Sequence, residues 1–188
     1  MAYPAKLSEE SILETATQIV DEEGIESLSL RGIGARIGVK APSLYKYFPD
    51  KESLMRTIGQ RFITDLSESS FRAPNFDSLA IAYRSWARAH PHRYEAIFRH
   101  MPPGETPTLE FLLAAFEPLR LFAERSGAAQ ALPLARTLWS WLHGAVSLEL
   151  AYGTRPRPGL DTEAAFALGL ELLGSALKIT VTTKGKPA

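Results

Sequence analysis

The sequence predicts an all-α protein of about nine helices. Apolar residues recur at the spacing of amphipathic helices through most of the 188 residues, and N-cap residues, glycines and prolines separate these stretches. We find no segment with the strict apolar/polar alternation that is typical of a half-buried strand.

Three short helices are predicted in the first third of the chain. The first begins after the N-cap residue Ser8 and ends at Gly24, and the second begins after Ser29 and ends at Gly38. Pro42 suits the first turn of the third helix, which the following Phe-Pro pair stops. The glycine at 38 can adopt a positive φ, so the second and third helices can meet at a sharp turn.

Longer helices are predicted after this region. Asp50 is placed to cap the fourth helix and Asp77 to cap the fifth, which ends before Pro91. A brief helical segment at 94–100 and a loop at 101–107 follow.

The last part of the chain is strongly apolar. Its first helix contains Pro118, which is expected to kink it, and ends near Gly127. An apolar helix over 133–152, a loop at 153–159 and a final helix after Asp161 complete the prediction.

Composition excludes several classes of function. A hydrophobic content of 45% and a charged content of 22% are those of an ordinary folded protein. The lack of cysteine excludes disulfides and thiolate metal sites, and four scattered histidines offer no ligand spacing, so neither a metal nor another cofactor is expected. No apolar run reaches the roughly 18 residues of a membrane span and no signal peptide is evident, so a cytoplasmic protein is expected.

The formal net charge of zero conceals a local segregation. Residues 1–28 carry seven acids and one base, whereas residues 29–56 carry six bases and two acids. A compact basic segment beside an acidic one indicates an anion-facing surface, although solvated helix faces would give the same pattern.

Two short helices joined by a glycine turn, the second basic and aromatic, fit the geometry of a helix-turn-helix motif. The run from Ser27 to Leu54, SLSLRGIGARIGVKAPSLYKYFPDKESL, closely resembles the DNA-binding signature of the TetR family. The shared pattern is a Thr/Ser-apolar-Arg start, a Gly-Val turn, a Leu-Tyr-x-x-Phe recognition helix and a Lys-Glu-x-Leu entry to the next helix. Gly34 stands where the family usually has alanine, which is expected to loosen the second helix by about 1 kcal/mol.

The resemblance implies a transcriptional regulator that binds a double-stranded DNA operator as a homodimer. It implies a three-helix DNA-binding domain at 1–56, a helical ligand-binding and dimerisation domain at 57–182, and a flexible tail at 183–188. The regulator is expected to be a repressor that an unknown apolar small molecule releases from the operator.

The resemblance also places eight residues on the DNA-facing surface. Hydroxyl groups and lysine amines suit phosphate, Lys46 can also reach a guanine edge, and the ring of Pro42 can meet a thymine methyl. Leu44 and Phe48 are expected in the core, and the tyrosines of the segment could be partly core as well. The eight residues are Ser29, Lys40, Pro42, Ser43, Tyr45, Lys46, Tyr47 and Lys51.

A second resemblance concerns the C-terminal part. The runs LWSWLHG at 138–144 and YRSWARAHPHRYEAIF at 83–98 are similar to the effector domain of a TetR branch marked by a Trp-His-Gly signature. Ligand pockets are mostly apolar with a few polar groups, but aromatic residues at helical spacing are also typical of a core. The candidate pocket residues are Trp86, Phe111, Trp139, Trp141 and His143.

The last two helices are apolar on nearly every side and therefore need a cover on two sides. The family resemblance implies that they pair with their copies in a four-helix bundle across a two-fold axis, while part of each helix belongs to the protomer's own core. The candidate interface residues are Leu142, Ala145, Gly169, Leu172 and Ala176.

An enzyme and a regulator that responds to a partner protein are the alternative functions. An enzyme would need His143 or His90 as general base, but neither has an acidic or nucleophilic partner at a telling spacing, so no enzyme is expected. A DNA-binding regulator that responds to a partner protein instead of a ligand remains an alternative.

Overall fold

The computed structural model describes residues 7–99, 109–152 and 161–182, and all regular structure in these ranges is helical. The all-α prediction is confirmed, with eight α-helices in the described ranges. These are α1 Glu9–Glu23, α2 Leu30–Ile37, α3 Lys51–Phe71, α4 Phe76–Ala89, α5 Pro91–Arg99, α6 Leu109–Arg125, α7 Ala131–Tyr152 and α8 Thr162–Thr182.

The predicted ends of the first two helices are confirmed. The Oγ of Ser8 accepts a hydrogen bond from the N–H of Ser11 at 3.2 Å, and the Oγ of Ser29 accepts one from the N–H of Gly32 at 3.0 Å. Gly38 ends α2 in the left-handed conformation with a φ of 81°. Glycine adopts this conformation without a steric penalty, and it turns the chain directly into the next segment.

The predicted third helix is not an α-helix. Ala41–Ser43 form a 3-10 turn and 44–47 form further turns, closed by a hydrogen bond from the N–H of Phe48 to the carbonyl of Leu44 at 3.0 Å. The physical reason is length: few residues separate the Gly38 turn from Pro49, and an α-helical nucleus is costly for so short a segment.

The predicted cap of the fifth helix is also wrong. The side chain of Asn75, not of Asp77, accepts a hydrogen bond from the N–H of Ser78 at 2.8 Å. Phe76 is thereby the first residue of α4 and is buried, while Asp77 lies in the first turn, where a negative charge is favourable.

Asp50 caps α3 as predicted, and α8 begins directly after Asp161, whose side chain accepts a hydrogen bond from the N–H of Ala164. The helix α6 continues through Pro118. The predicted loops at 101–107 and 153–159 and the tail at 183–188 lie outside the described residues.

The described residues fall into two compact units, one within 1–64 and 90–107, the other within 65–89 and 108–188. The first unit has a core of fully buried aliphatic and aromatic side chains from α1, α2, α3, α5 and the segments between the first three helices. They include Ile12, Leu28, Ile33, Leu44, Leu54, Ile58, Phe62, Ile63 and Ile97.

The helix α5 belongs to the first unit. The guanidinium of Arg93 donates two hydrogen bonds to the carboxylate of Asp21 in α1, at 2.7 and 2.6 Å, and Nδ1 of His92 lies 3.1 Å from the carbonyl of Val20. A bidentate arginine-carboxylate pair fixes orientation as well as distance, so α5 is tied to α1 in one geometry.

The second unit has a core centred on α7. A stripe of α7 is buried at Ala135, Leu138, Leu142, Val146 and Glu149, which recur every three or four residues. Within the described ranges, no helix has the length and mean hydropathy needed to cross a membrane.

Gly34 permits a close approach between α2 and the turn that follows it. A Cβ at this position would lie 2.8 Å from the carbonyl oxygen of Val39, whereas real Cβ atoms essentially never come within 3.0 Å of a neighbour. The carbonyl of Gly34 accepts hydrogen bonds from both Gly38 and Val39. The departure from the usual alanine therefore accompanies a tight turn.

We predict that Gly34→Ala lowers the free energy of unfolding by about 1–3 kcal/mol, because the added methyl group must push the Val39 backbone away. Gly59→Ala in α3 is the matched control: nothing lies within 4 Å of the added Cβ, so it should stabilise by about 0.5–1 kcal/mol. Urea unfolding followed by circular dichroism measures both. A stabilising effect of Gly34→Ala would contradict the close approach.

Candidate DNA-binding interface and ligand cavity

The segment after α2 is held by two buried side chains, and the side chains around them are exposed. Leu44 is fully buried and Phe48 nearly so, while Lys40, Pro42 and Lys46 are exposed. The buried pair anchors a short turn that has few backbone hydrogen bonds of its own. Side chains on its outer face are thereby presented in a fixed arrangement.

Both tyrosines of this segment are exposed rather than part of the core, with 52% of Tyr45 accessible. The hydroxyl of Tyr47 donates a hydrogen bond to the carbonyl of Leu7 at 2.9 Å, which ties the segment to the residues before α1. Tyr45 is thus the tyrosine whose hydroxyl is available for recognition, and Tyr47 has a bracing contact.

Two helix N-termini flank this segment. Ser29 is half-buried and already accepts the hydrogen bond that caps α2, so its hydroxyl proton remains for an acceptor such as phosphate. Lys51 is exposed at the first residue of α3, where backbone N–H groups also favour an anion. Ser43 is half-buried between the exposed Pro42 and the core.

The basic side chains of residues 29–56 fall into two groups: those that form an ion pair with a carboxylate and those that do not. Arg36 donates hydrogen bonds to Glu22, at 2.6 Å, and to Glu23, and this pairing raises the pKa of its guanidinium. Arg56 is paired with Glu52 at 3.0 Å. The basic side chains without a carboxylate partner among the described residues are Arg31, Lys40, Lys46 and Lys51. The positive charge left for phosphate therefore belongs mainly to the segment after α2.

The described ring contacts place Trp141 and Trp139 on different faces of α7. The indole of Trp141 lies 5.3 Å from the ring of Phe166 and 6.0 Å from that of Phe76. Trp139 stacks on His143 at 5.1 Å, on another face of the same helix. Trp86 is half-buried, and the side chain of Phe111 lies outside the described residues.

A cavity of about 330 Å³ lies instead between α4 and α8. None of the five predicted pocket residues lines it. Its walls come from residues spaced three or four apart on each helix, so one face of each helix forms one wall. The lining residues are Ile81, Arg84, Ser85, Arg88, Glu163, Phe166, Ala167 and Leu170.

Three charged residues line this cavity and a fourth, Glu149, is buried beside them, and sequence reasoning missed all four. Arg84 donates to Glu149 at 2.7 Å and to Glu163 at 2.8 Å, and Arg88 is paired with the same two carboxylates. Hydrogen bonds from Arg84 and Arg88 lower the pKa of Glu163. The available signal was position: Arg84 and Glu149 each stand on the apolar stripe of their helix.

The predicted interface residues have different surroundings. Leu142 is fully buried in the core of the second unit, so its side chain cannot present a surface to another chain. Gly169 lies under Trp141, since a Cβ there would overlap the indole ring. Ala145 is half-buried, and Ala176 and Leu172 are exposed.

The exposed apolar surface of α8 extends beyond the two exposed candidate residues, Leu172 and Ala176. Leu168 and Leu172 are both more than half exposed, and Ala165 and Ala176 continue the stripe at helical spacing. A stripe of this kind on one helix is typical of an association surface. In the part of the chain that the structure describes, no group of three or more His, Cys, Asp or Glu residues could hold a metal ion.

The segment after α2, with its exposed lysines above the buried Leu44 and Phe48, is the second element of a helix-turn-helix motif. Residues 12–58 match the family model of the bacterial regulatory proteins of the tetR family, and residues 76–173 match the tetracyclin repressor-like C-terminal domain. The chain belongs to the TetR family of transcriptional regulators, whose members are not enzymes.

Similar proteins agree with this membership. The chain is 36% identical over 178 residues to the HTH-type transcriptional regulator Rv0681 of Mycobacterium tuberculosis, covering 88% of this chain and 79% of that protein. It is 32% identical over 98 residues to the tetracycline repressor protein class C of Escherichia coli, covering 45% of each.

Solved structures show the same fold. SCO4313 superposes with a TM-score of 0.74 at 27% identity, over 88% of this chain and 94% of that one. BioQ, solved with its double-stranded DNA operator, superposes with a TM-score of 0.64 at 20% identity, over 92% of this chain and 98% of that one.

We predict that His143 makes the protein less stable in acid. Burial lowers the pKa of its imidazole, so the unfolded chain takes up a proton more readily than the folded one as the pH falls below about 6.5. The thermal midpoint should therefore fall between about pH 7 and pH 5, and it should fall less in His143→Gln. Equal losses in the wild type and the variant would contradict a buried neutral imidazole.

Proposed function

We propose that this regulator binds its operator as a homodimer through the segment from Lys40 to Lys51. The observation that carries the proposal is the pair of buried anchors, Leu44 and Phe48, beneath exposed Tyr45 and Lys46. Side chains held rigidly on a short protruding element can enter the major groove, where base edges are distinguishable. The DNA-binding domain would comprise residues 1–56.

Each candidate contact has a separate role in the proposal. Tyr45 and Lys46 would meet base edges or the adjacent backbone, together with the ring of Pro42. Phosphate contacts fix the register without reading sequence. The residues proposed for phosphate are Ser29, Lys40, Ser43 and Lys51, with Tyr47 bracing the element.

The proposal includes repression and a response to a small molecule bound in the domain at 57–182. Two relatives, the tetracycline repressor class C and DrrR1 of Streptomyces coeruleorubidus, are named repressors. An effector that prefers one conformation would shift the dimer away from the half-site spacing of the operator. Such a regulator acts on chromosomal DNA, so a cytoplasmic location is part of the proposal.

The Trp-His-Gly branch also remains a proposal. The contact between Trp139 and His143 supports it, because the stacked pair occupies one face of α7 next to Gly144. Gly144 has nothing within 4 Å of an added Cβ, so this glycine is not required by a close approach within the described chain.

The dimer interface would use the exposed face of α8, with Leu172 and Ala176 near its centre and Leu168 beside them. Gly169 borders this face on the side of Trp141, and the half-buried Ala145 of α7 is a further candidate, whereas Leu142 belongs to the core. Apolar residues that are exposed in one protomer gain about 25 cal/mol for each Å² that a second copy covers.

Selection of bound duplexes from random DNA tests the operator proposal, and it should return a palindromic site. On that site, Lys51→Ala should lower the slope of log affinity against log salt by about two, because each dimer loses two phosphate contacts worth about 0.9 each. The measurement is fluorescence anisotropy at several salt concentrations.

Arg56→Gln is the matched control for Lys51→Ala. Arg56 lies five residues further along α3 and is already paired with Glu52, so its loss should change the slope much less. A flat salt dependence, or equal slopes in the wild type and Lys51→Ala, would overturn this assignment of the DNA-facing surface.

We predict that Leu172→Glu yields a monomer with greatly weakened operator binding, because an unpaired charge in an apolar interface costs several kcal/mol. Leu132→Glu is the control, since Leu132 is similarly exposed but lies at the start of α7. Light scattering measures the mass of both variants. Dimeric Leu172→Glu would place the interface elsewhere.

A further inference from the structure

The groove between α4 and α8 has two chemically different ends. Ile81 and Leu170 form an apolar end, and Arg84, Arg88 and Glu163 form a charged end. Its volume of about 330 Å³ lies within the range of small-molecule pockets. The lining therefore suits a molecule with an apolar body and one charged group.

Arg84 is the residue in this groove with an unmet hydrogen-bonding capacity. Only 9% of its side chain is exposed, and its guanidinium lies over the ring of Phe166, 4.2 Å from the centroid. Nε and Nη1 donate to Glu149 and Glu163, but Nη2 has no hydrogen-bond partner among the described residues. A buried donor without an acceptor is unfavourable, so a rearrangement of the cluster that brings an acceptor to Nη2 is favoured.

The two carboxylates that neutralise the arginines are not equivalent. Glu149 is buried and accepts hydrogen bonds from both arginines, so it cannot leave without stranding charge. Glu163 has 64% of its side chain exposed, and it lies in the first turn of α8. When Glu163 turns into water its own carboxylate is hydrated, and Arg84 and Arg88 are left with one carboxylate between them, so an anion that enters the groove is then favoured.

We propose that the groove between α4 and α8 binds an organic carboxylate with an apolar tail, whose carboxylate replaces that of Glu163 on Arg84 and Arg88. A planar guanidinium prefers a carboxylate held by two parallel hydrogen bonds, which a mobile ligand can achieve more freely than a tethered side chain. The tail would cover Ile81, which is 53% exposed, and Leu170.

The groove remains open in a dimer formed through α8. Residues 163, 166, 167 and 170 share one face of this helix, and the exposed stripe of 165, 168, 172 and 176 lies on the opposite face. A second copy that covers the stripe would leave the groove free. Organic carboxylates with an apolar tail would then be the class of effector in the proposed ligand response. Only the expected change in operator affinity rests on that proposed function; the binding itself does not.

Octanoate is the test ligand, and octanamide, which has the same tail and no charge, is the control ligand. Isothermal titration calorimetry on the full chain without DNA should find one octanoate per protomer and at least about tenfold weaker binding of octanamide. Equal affinities for the two ligands, or no saturable octanoate binding up to about 10 mM, would overturn the inference.

Glu163→Gln separates ligand exchange from a purely structural role of the cluster. Removing the internal competitor should tighten octanoate binding by about tenfold, whereas Arg88→Gln should weaken it by a similar factor. Glu171→Gln, on the exposed part of the same helix, should leave it unchanged. An unchanged octanoate affinity in Glu163→Gln would leave the cluster as a structural tie and overturn the exchange.

The operator measurement distinguishes the two proposals. Octanoate that binds as expected but leaves the affinity for the selected operator unchanged would support the site and contradict the ligand response. If the selection from random DNA returned no palindromic site, the proposed DNA-binding surface would be contradicted, but the octanoate binding measured by calorimetry would still support the groove.

Discussion

The burial of Leu44 is the constraint on which the DNA-binding element depends. The segment that carries Lys46 is too short for an α-helix, so backbone hydrogen bonds alone do not hold it. Its orientation comes from Leu44 and Phe48, which enter the core of the first unit, and from the close approach at Gly34 that positions the turn before it. The recognition surface is thus a consequence of packing beneath it.

The second unit depends on a different kind of contact. Arg84 and Glu149 occupy stripe positions of α4 and α7 where an aliphatic residue would be ordinary, and a buried ion pair is a weak source of stability. Such pairs fix orientation through their geometry, and this one places Arg84 in the wall of a groove while one of its guanidinium nitrogens, Nη2, is buried without a hydrogen-bond partner among the described residues.

Much of the fold could be predicted from the sequence because local signals decide it. Ser8 and Ser29 mark helix starts because their hydroxyl oxygens accept backbone hydrogen bonds, and Gly38 marks a helix end because a residue without a side chain can adopt a positive φ. The third element was misassigned because its pattern of apolar residues is also satisfied by tight turns over such a short span.

The cavity could not be predicted because it depends on which helices become neighbours. Trp139 and Trp141 are close in sequence, yet they point to different sides of α7, and the groove is formed by α4 and α8 instead. The local signal in the sequence was a charged residue on the apolar stripe of a helix, as at Arg84 and Glu149. The family motif, by contrast, indicated the exposed lysines, since that surface lies within one continuous stretch of sequence.

The division of the chain has a consequence for the use of fragments. The backbone passes between the two units three times, near residues 64, 89 and 107, so neither unit is a single continuous piece of polypeptide. A truncated protein that stops at residue 64 would lose α5, and with it the partner of Asp21. A chimaera that takes one unit from a relative would likewise need two separate stretches of the gene to be exchanged.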